Sequence, residues 1–330
     1  MRDKGPLPVN RRDILRLSGA GIAAAGLGLG TAGKALGAEK KRIAIGHPDR
    51  TANFYQGFIN AALKEADKYG YEVLQSFSGQ DPQKQLAELN AWLAAGVDAM
   101  VVLALEANAM GPIVAKCHAE NALFVSYANR IEGEDGYIKW ADRDAGKVLG
   151  SQVVRHIKEK LGGKGEVGFL TWTNIQVVTD RMESTREAIL AELPDTQIFE
   201  AMGVNAPDAL KGAQSLLQAH PDMRVLICCS DDAALGARSA YKNSGLAAEN
   251  IFIAGFDGAK QNLELLKAKD PYLQACMGLD IGEIGRRVID IPHGLWNGAP
   301  ESETHVLQQY KLITSDTDPV VIDEMLSVYS

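Results

Sequence analysis

From Arg42 onward, short aliphatic runs alternate with longer amphipathic ones. Arg42–Gly46 (RIAIG) has the near-continuous apolar pattern of a strand buried on both faces, and a helix from about Asn53 to Tyr69 follows, stopped by Gly70. Tyr71–Gln75 is the next strand, and Asp81-Pro82 reads as N-cap plus first residue of a helix running to Ala95. Ala99–Leu103, a helix near Ala109–Glu120 and the strand Leu123–Tyr127 continue the alternation, and Tyr137–Trp140 reads as a short exposed strand. A second set runs Glu166–Thr171, helix Thr179–Leu193, Gln197–Met202, helix Asp208–His220, Arg224–Cys229 and helix Asp232–Ser244. Ile251–Phe256, helix Lys260–Ala268 and Leu273–Gly278 complete it.

Aliphatic strands alternating with helices are what parallel sheets covered on both faces require. Two sets of four or five strands, separated near residues 140–165, predict an α/β fold of two doubly wound, Rossmann-like lobes. A single eight-stranded barrel fits less well, because the count is nearer ten and no helix precedes Tyr137–Trp140. Helix stripes such as Leu86, Leu89, Trp92 and Leu93 are assigned to the core.

The segment before Arg42 is of another kind. Asn10-Arg11-Arg12-Asp13-Ile14-Leu15-Arg16 precedes an uncharged run from Leu17 to Gly33, and 14 of the 22 residues from Leu17 to Ala38 are Gly or Ala. That run is short of the roughly 20 mostly apolar residues a bilayer span needs. A basic start, a modest apolar stretch and small residues at the end predict a removable signal peptide, cleaved after Gly37 or Ala38. The paired arginines resemble a twin-arginine (Tat) signal. Gly19-Ala20-Gly21-Ile22-Ala23-Ala24 matches a dinucleotide fingerprint formally, but no strand precedes it.

Composition narrows the reading. The chain has 330 residues, 46% apolar and 23% charged, as in soluble globular proteins. Its formal net charge is −8; without residues 1–38, which hold six basic and two acidic side chains, 292 residues carry 28 basic and 40 acidic ones, net −12. That charge gives no attraction to nucleic acid or anionic lipid. Four cysteines are too few for a disulfide scaffold, and Cys228 and Cys229, adjacent on a strand, face opposite ways; four buried, unpaired thiols are expected. There is no phosphate-binding GKS/T loop, no G-x-S-x-G elbow and no His/Cys ligand cluster among the six histidines, so no catalytic group, cofactor or metal is assigned.

In open α/β sheets ligands sit beyond the carboxyl ends of the strands. Those ends carry His47, Pro48, Asp49, Arg50, Asn53, Phe54 and Tyr55 after the first strand, and Asn129 and Arg130 after LFVSY. The second set carries Trp172, Thr173, Asn174 and Arg181, then Asn205, then Ser230, Asp231 and Asp232, then Asp257 and Asp280. Each has a plainer role open to it: Ser230 to Asp232 as helix caps, Arg181 as an exposed helix residue, Phe54 and Tyr55 as a staple into the core. Together, carboxylates, guanidinium, amides and aromatic faces suit a neutral polyhydroxylated ligand.

Four segments carry a family resemblance: IAIGHPDRTANFYQGFINAALKEADKYGYEV, AELNAWLAAGVDAMVVLALEANAM, LLQAHPDMRVLICCSDDAALGARSAYKNSG and IFIAGFDG. They resemble type I periplasmic substrate-binding proteins of the ribose-binding kind, over residues 41–307. The resemblance implies a three-strand hinge crossed near Asp142, Asp280 and Gln308, with lobes of residues 41–142 plus 280–307 and 143–279 plus 308–330. It implies ligand contacts at Phe54, Tyr55, Asn129, Arg130, Arg181, Ser230, Asp257 and the Leu279/Asp280 pair. Arg130, Arg181 and Asp257 keep the family's residue type; Asn129 stands for an aspartate, Ser230 for an asparagine and Asn53 for a proline. The class, a monosaccharide or sugar alcohol, survives these departures, and ribose itself does not follow from them.

The expected ligand set is therefore Asp49, Asn53, Phe54, Tyr55, Asn129, Arg130, Trp172, Arg181, Asn205, Ser230, Asp257 and Asp280. The expected function is a periplasmic, monomeric binding protein, not embedded in the membrane, that serves an ABC transporter permease. A sensor presenting the sugar to a chemoreceptor or histidine kinase and an exported sugar-modifying enzyme are the alternatives. Arg181→Ala is expected to cost binding with little loss of fold stability.

Overall fold

The computed structural model describes residues 40–48, 53–172 and 175–330. The signal-peptide reading of residues 1–38, and the expected site residue Asp49, fall outside them. The first set of elements is β1 (Arg42–His47), α1 (Asn53–Tyr69), β2 (Glu72–Phe77), α2 (Pro82–Ala95), β3 (Ala99–Val102), α3 (Gly111–Ala119), β4 (Leu123–Ala128) and β5 (Gly136–Trp140). The second is α4 (Asp142–Lys160), β6 (Glu166–Thr171), α5 (Gln176–Glu192), β7 (Gln197–Met202), α6 (Ala206–Ala219) and β8 (Val225–Cys228). It continues with α7 (Asp231–Ser244), β9 (Phe252–Asp257), α8 (Lys260–Lys267) and β10 (Leu273–Leu279). The chain ends through α9 (Ile281–Trp296), the short α10 (Glu301–Thr304), β11 (His305–Gln308), β12 (Tyr310–Thr314) and α11 (Pro319–Leu326).

The strands form two six-stranded sheets, ordered β11-β5-β4-β3-β1-β2 and β12-β10-β9-β8-β6-β7. All pairings are parallel except β10–β12, which is antiparallel. The expected α/β fold of two parallel-sheet lobes is the one observed. By strand membership the chain passes between sheets three times: after β5, after β10 and between β11 and β12. Two passages are tied together where Ala141 N–H donates to the Gln308 carbonyl at 3.0 Å.

Local chemistry explains the element ends. Asp81 caps α2 by accepting from the Gln83 and Lys84 amides, Pro82 opens it, and Gly96 closes it at φ +71°. The central strands β1, β3 and β8 are buried almost throughout, as their unbroken aliphatic runs require. All four cysteines are buried and free.

One expectation changes, and one stretch gains an element. Tyr137–Trp140 is not an exposed strand: β5 lies inside the sheet, paired with β4 on one side and β11 on the other. Its second neighbour comes from residues 305–308, beyond any local signal. Residues 140–165 separate the two strand sets as expected, and they hold a helix that was not assigned, the 19-residue α4, packed against α5.

Candidate functional site

The carboxyl ends of β1 and β3 from one lobe, and of β6 to β9 from the other, converge on a cavity of about 110 Å³. The first lobe supplies Pro48, Phe54, Tyr55, Gln80, Leu103 and Trp140. The second supplies an aromatic and aliphatic wall, Trp172, Ile175, Val177, Val178 and Val204, and a polar floor of Arg181, Asn205, Ser230, Asp232 and Asp257 beside Cys229.

Arg181 organises the floor. It sits one turn into α5, is 2% exposed, and reaches four partners. Its Nη1 donates to the Cys229 carbonyl at 3.0 Å and to Asp257 Oδ1 at 3.1 Å. Its Nε donates to Asp142 Oδ1 at 3.0 Å and its Nη2 to the Tyr310 hydroxyl at 2.9 Å, which in turn donates to Asp142 Oδ1 at 2.8 Å. The guanidinium also lies 4.9 Å from the Phe256 ring centroid. A buried guanidinium held this way is fixed in direction before any ligand arrives.

Asp257 ends β9 with φ +114°, in the region L-residues rarely adopt, which turns its carboxylate back toward Arg181. Burial pushes its carboxyl up to about 7, against the opposing pull of Arg181. Burial likewise raises Asp142, again against Arg181, and one oxygen of Asp142 has no partner. Asp231 is a brace, not a ligand group: its Oδ2 accepts from the Gly258 and Ala259 amides at 2.9 and 2.6 Å and holds the turn after Asp257.

Aromatic rings from both lobes flank the floor. Phe54 packs edge-on to Tyr55 at 5.2 Å and tilted to Trp140 at 5.7 Å. His47, buried behind Tyr55 at 4.9 Å, bonds to the Tyr127 hydroxyl at 3.0 Å, and burial drives its pKa down to about 3. It is a neutral packing group.

The expected site residues fall into groups. Phe54, Tyr55, Trp172, Arg181, Asn205, Ser230 and Asp257 line the one cavity. Two of them also cap helices: Asn205 accepts from Asp208 N at 2.9 Å, and Ser230 accepts from Ala233 N at 3.0 Å while donating to the Val204 carbonyl at 2.7 Å. Phe54 and Tyr55, 5% and 6% exposed, serve the core and the cavity at once.

Asn129 and Arg130 line a neighbouring cavity of about 550 Å³ instead, with Lys139, Gln176 and Asp180. Asn129 Nδ2 is engaged by the Ala104 carbonyl at 3.1 Å, and Arg130 pairs with Glu134 and lies 3.6 Å over the Tyr137 ring. Asp280 caps α9 through Glu283 N at 2.8 Å and lines a third cavity with Lys64, Arg286 and Glu324, while Leu279 is fully buried. Asn53 opens α1. Asp49, Arg50, Thr173 and Asn174 lie outside the described residues.

Sequence reasoning missed Gln80, Leu103, Trp140, Ile175, Val177, Val178 and Val204. Val177 and Val178 precede Arg181 by four and three residues and so share its helix face, a signal that was available. Trp140, which ends β5 at a passage between sheets, had no such local signal.

Residues 43–300 match the family model described as a periplasmic binding protein domain. The chain belongs to that family. This periplasmic binding protein is 24% identical over 249 residues to the ribose import binding protein of Salmonella typhimurium, covering 74% of this chain and 81% of the relative. It is 24% identical to the xylitol-binding protein of Mycolicibacterium smegmatis, covering 76% and 70%. Its fold matches the crystal structure of a galactofuranose binding protein with a TM-score of 0.77 at 18% identity, covering 87% of this chain and 97% of the other. Among the described residues no helix is long and apolar enough to cross a membrane, and no group of side chains is placed to hold a metal ion.

Proposed function

We propose that this protein captures a neutral monosaccharide or sugar alcohol in the periplasm by lobe closure and delivers it to the permease of an ABC transporter. The observation that carries this reading is the Arg181–Asp257 pair on the floor of a cavity flanked by Phe54, Tyr55, Trp140 and Trp172. A fixed guanidinium and carboxylate exchange charge-assisted hydrogen bonds with hydroxyls, while the rings cover ligand C–H faces. The ribose and xylitol named for its relatives are ligands of the same chemistry. The mechanism needs no cofactor, metal or catalytic group.

We assign the lobes as residues 41–142 plus 280–307 and 143–279 plus 308–330, with the protein acting as a monomer. A twin-arginine leader cleaved after Gly37 or Ala38 accounts for export; Arg11→Lys with Arg12→Lys then holds the precursor in the cytoplasm, read by fractionation. Closure is driven because the ligand touches both lobes only in the closed state. A shift from 1:99 to 99:1 closed takes about 5.5 kcal/mol of differential affinity; a micromolar ligand supplies about 8 kcal/mol in all. The test is a thermal-shift screen of pentoses, hexoses, tetritols, pentitols and inositols, followed by calorimetry. Micromolar or tighter binding of a member is the expected result, and silence across the panel rejects the reading.

A further inference from the structure

Among the described residues, the polar side chains lining the cavity are Gln80 of the first lobe and Arg181, Asn205, Ser230, Asp232 and Asp257 of the second. Along α5 the face that lines it carries Arg181 and, one turn of about 5.4 Å earlier, Val177 and Val178, which Ile175 precedes. At the Arg181 end stand Asp257 and the Cys229 carbonyl, both bonded to the guanidinium, with Ser230 next in the chain. One turn from Arg181, Val177 and Val178, with Ile175 before them, present branched aliphatic side chains to the same cavity, 5%, 7% and 4% exposed. A hydroxyl pressed against these branched side chains loses its water and gains no partner, which costs free energy; a methyl group there gains contact.

We infer that the ligand carries one hydroxylated edge, read by Arg181 and Asp257, and one alkyl edge seated on Ile175, Val177 and Val178: a deoxy sugar, or a short polyol ending in a methyl group. The inference deepens the sugar-or-polyol reading and rests on it. A cavity of about 110 Å³ favours a single small molecule of this kind, since an apolar cavity of about 150 Å³ holds one benzene ring.

The test is calorimetry of the mature protein with matched pairs that differ by one terminal hydroxyl: 5-deoxy-D-ribose against D-ribose, L-fucose against L-galactose, L-rhamnose against L-mannose, and butane-1,2,3-triol against erythritol. The deoxy member of a pair is expected to bind about 10- to 100-fold more tightly, the range an apolar pocket reaches against an added hydroxyl. Val178→Thr, which changes the wall by one hydroxyl and leaves the floor intact, is expected to narrow that ratio. Equal or tighter binding of the hydroxylated member in every pair that binds overturns the alkyl-edge inference and leaves the sugar reading standing. No binding by any member of any pair, nor by the wider sugar and polyol panel, overturns both.

Discussion

Arg181 carries its charge into a place shielded from water, and that changes what its removal does. The sequence leads to the expectation that Arg181→Ala spares the fold, because a helix residue beside a strand end is ordinarily solvated. In the structure the guanidinium is the shared partner of Asp142, Asp257 and Tyr310. Truncating it strands two buried carboxyls, and breaking a buried pair from one side costs about 3–5 kcal/mol. Arg181→Ala should therefore lower the urea midpoint strongly as well as abolish ligand binding. Asp257 supplies a second prediction with a definite sign. Its folded-state pKa of about 7 stands above the ordinary 3.8, so between those values the folded protein holds a proton the unfolded chain has released. The stability this group contributes is complete below about pH 4 and is lost as pH rises to about 7. Against Asp257→Asn, the wild type should lose melting temperature steadily across that window and hold a constant deficit above it; a pH-independent difference would sink the assignment.

At the scale of elements, what the sequence concealed is backbone contact. The buried-strand runs and the Asp81-Pro82 helix start were legible because side chains write them: aliphatics for a two-sided sheet, a carboxylate for a cap. Helix α4 also carries a buried stripe, Ala145, Leu149, Val153 and Ile157, that went unassigned; what no stripe shows is its second face, partly made of missing side chains. Gly146 lies against Ser184 and the Arg181 carbonyl, and a Cβ on Gly150 would stand 2.6 Å from Ala188 Cβ and 2.8 Å from the Thr185 carbonyl. That glycine face, where two backbones touch, leaves no side chain to read. Helix α9 likewise has a buried stripe, Ile281, Ile284, Val288 and Ile291, and conceals only its contact with α1, where a Cβ on Gly285 would stand 2.7 Å from Ala61 Cβ. The site shows the same division: Arg181 and Asp257 were legible from residue type at strand and helix ends, whereas Arg130, equally of the family's type, is turned aside by Glu134 and Tyr137. The prediction at this scale is that Gly150→Ala destabilises the fold by about 1–3 kcal/mol, the usual cost of forcing a methyl into a filled interface. Because α5 carries Arg181, the same variant should also weaken ligand binding in calorimetry. A surface control, Gly163→Ala, meets only the strain of its φ of +80° and should leave affinity unchanged.

For the whole molecule, the proposed closure raises the question of how a small ligand would move two lobes. Two of the three passages between sheets end on groups that Arg181 holds: Asp142 directly follows the passage out of β5, and Tyr310 directly follows the passage out of β11. The Gln308 carbonyl, two residues before Tyr310, accepts from the Ala141 amide, just before Asp142, so the two passages are also tied to each other. In the proposed mechanism, a ligand that draws on Arg181 and Asp257 in one lobe and on Phe54 and Tyr55 in the other would act on a guanidinium already bonded to two of these passages. Its differential affinity for the closed state would then shift the lobes. Tyr310→Phe tests this coupling without touching the cavity lining. It deletes the hydroxyl that accepts from Arg181 and donates to Asp142, and hydrogen bonds to charged groups are worth about 1.5–3 kcal/mol. The variant should bind ligand at least tenfold more weakly, and small-angle scattering should show a smaller ligand-induced drop in radius of gyration at saturation. Tyr272→Phe removes a hydroxyl that donates to the Leu246 carbonyl at 3.3 Å, away from these passages, and should change neither. Wild-type affinity in Tyr310→Phe would show that Arg181 serves the cavity alone and that closure is set elsewhere.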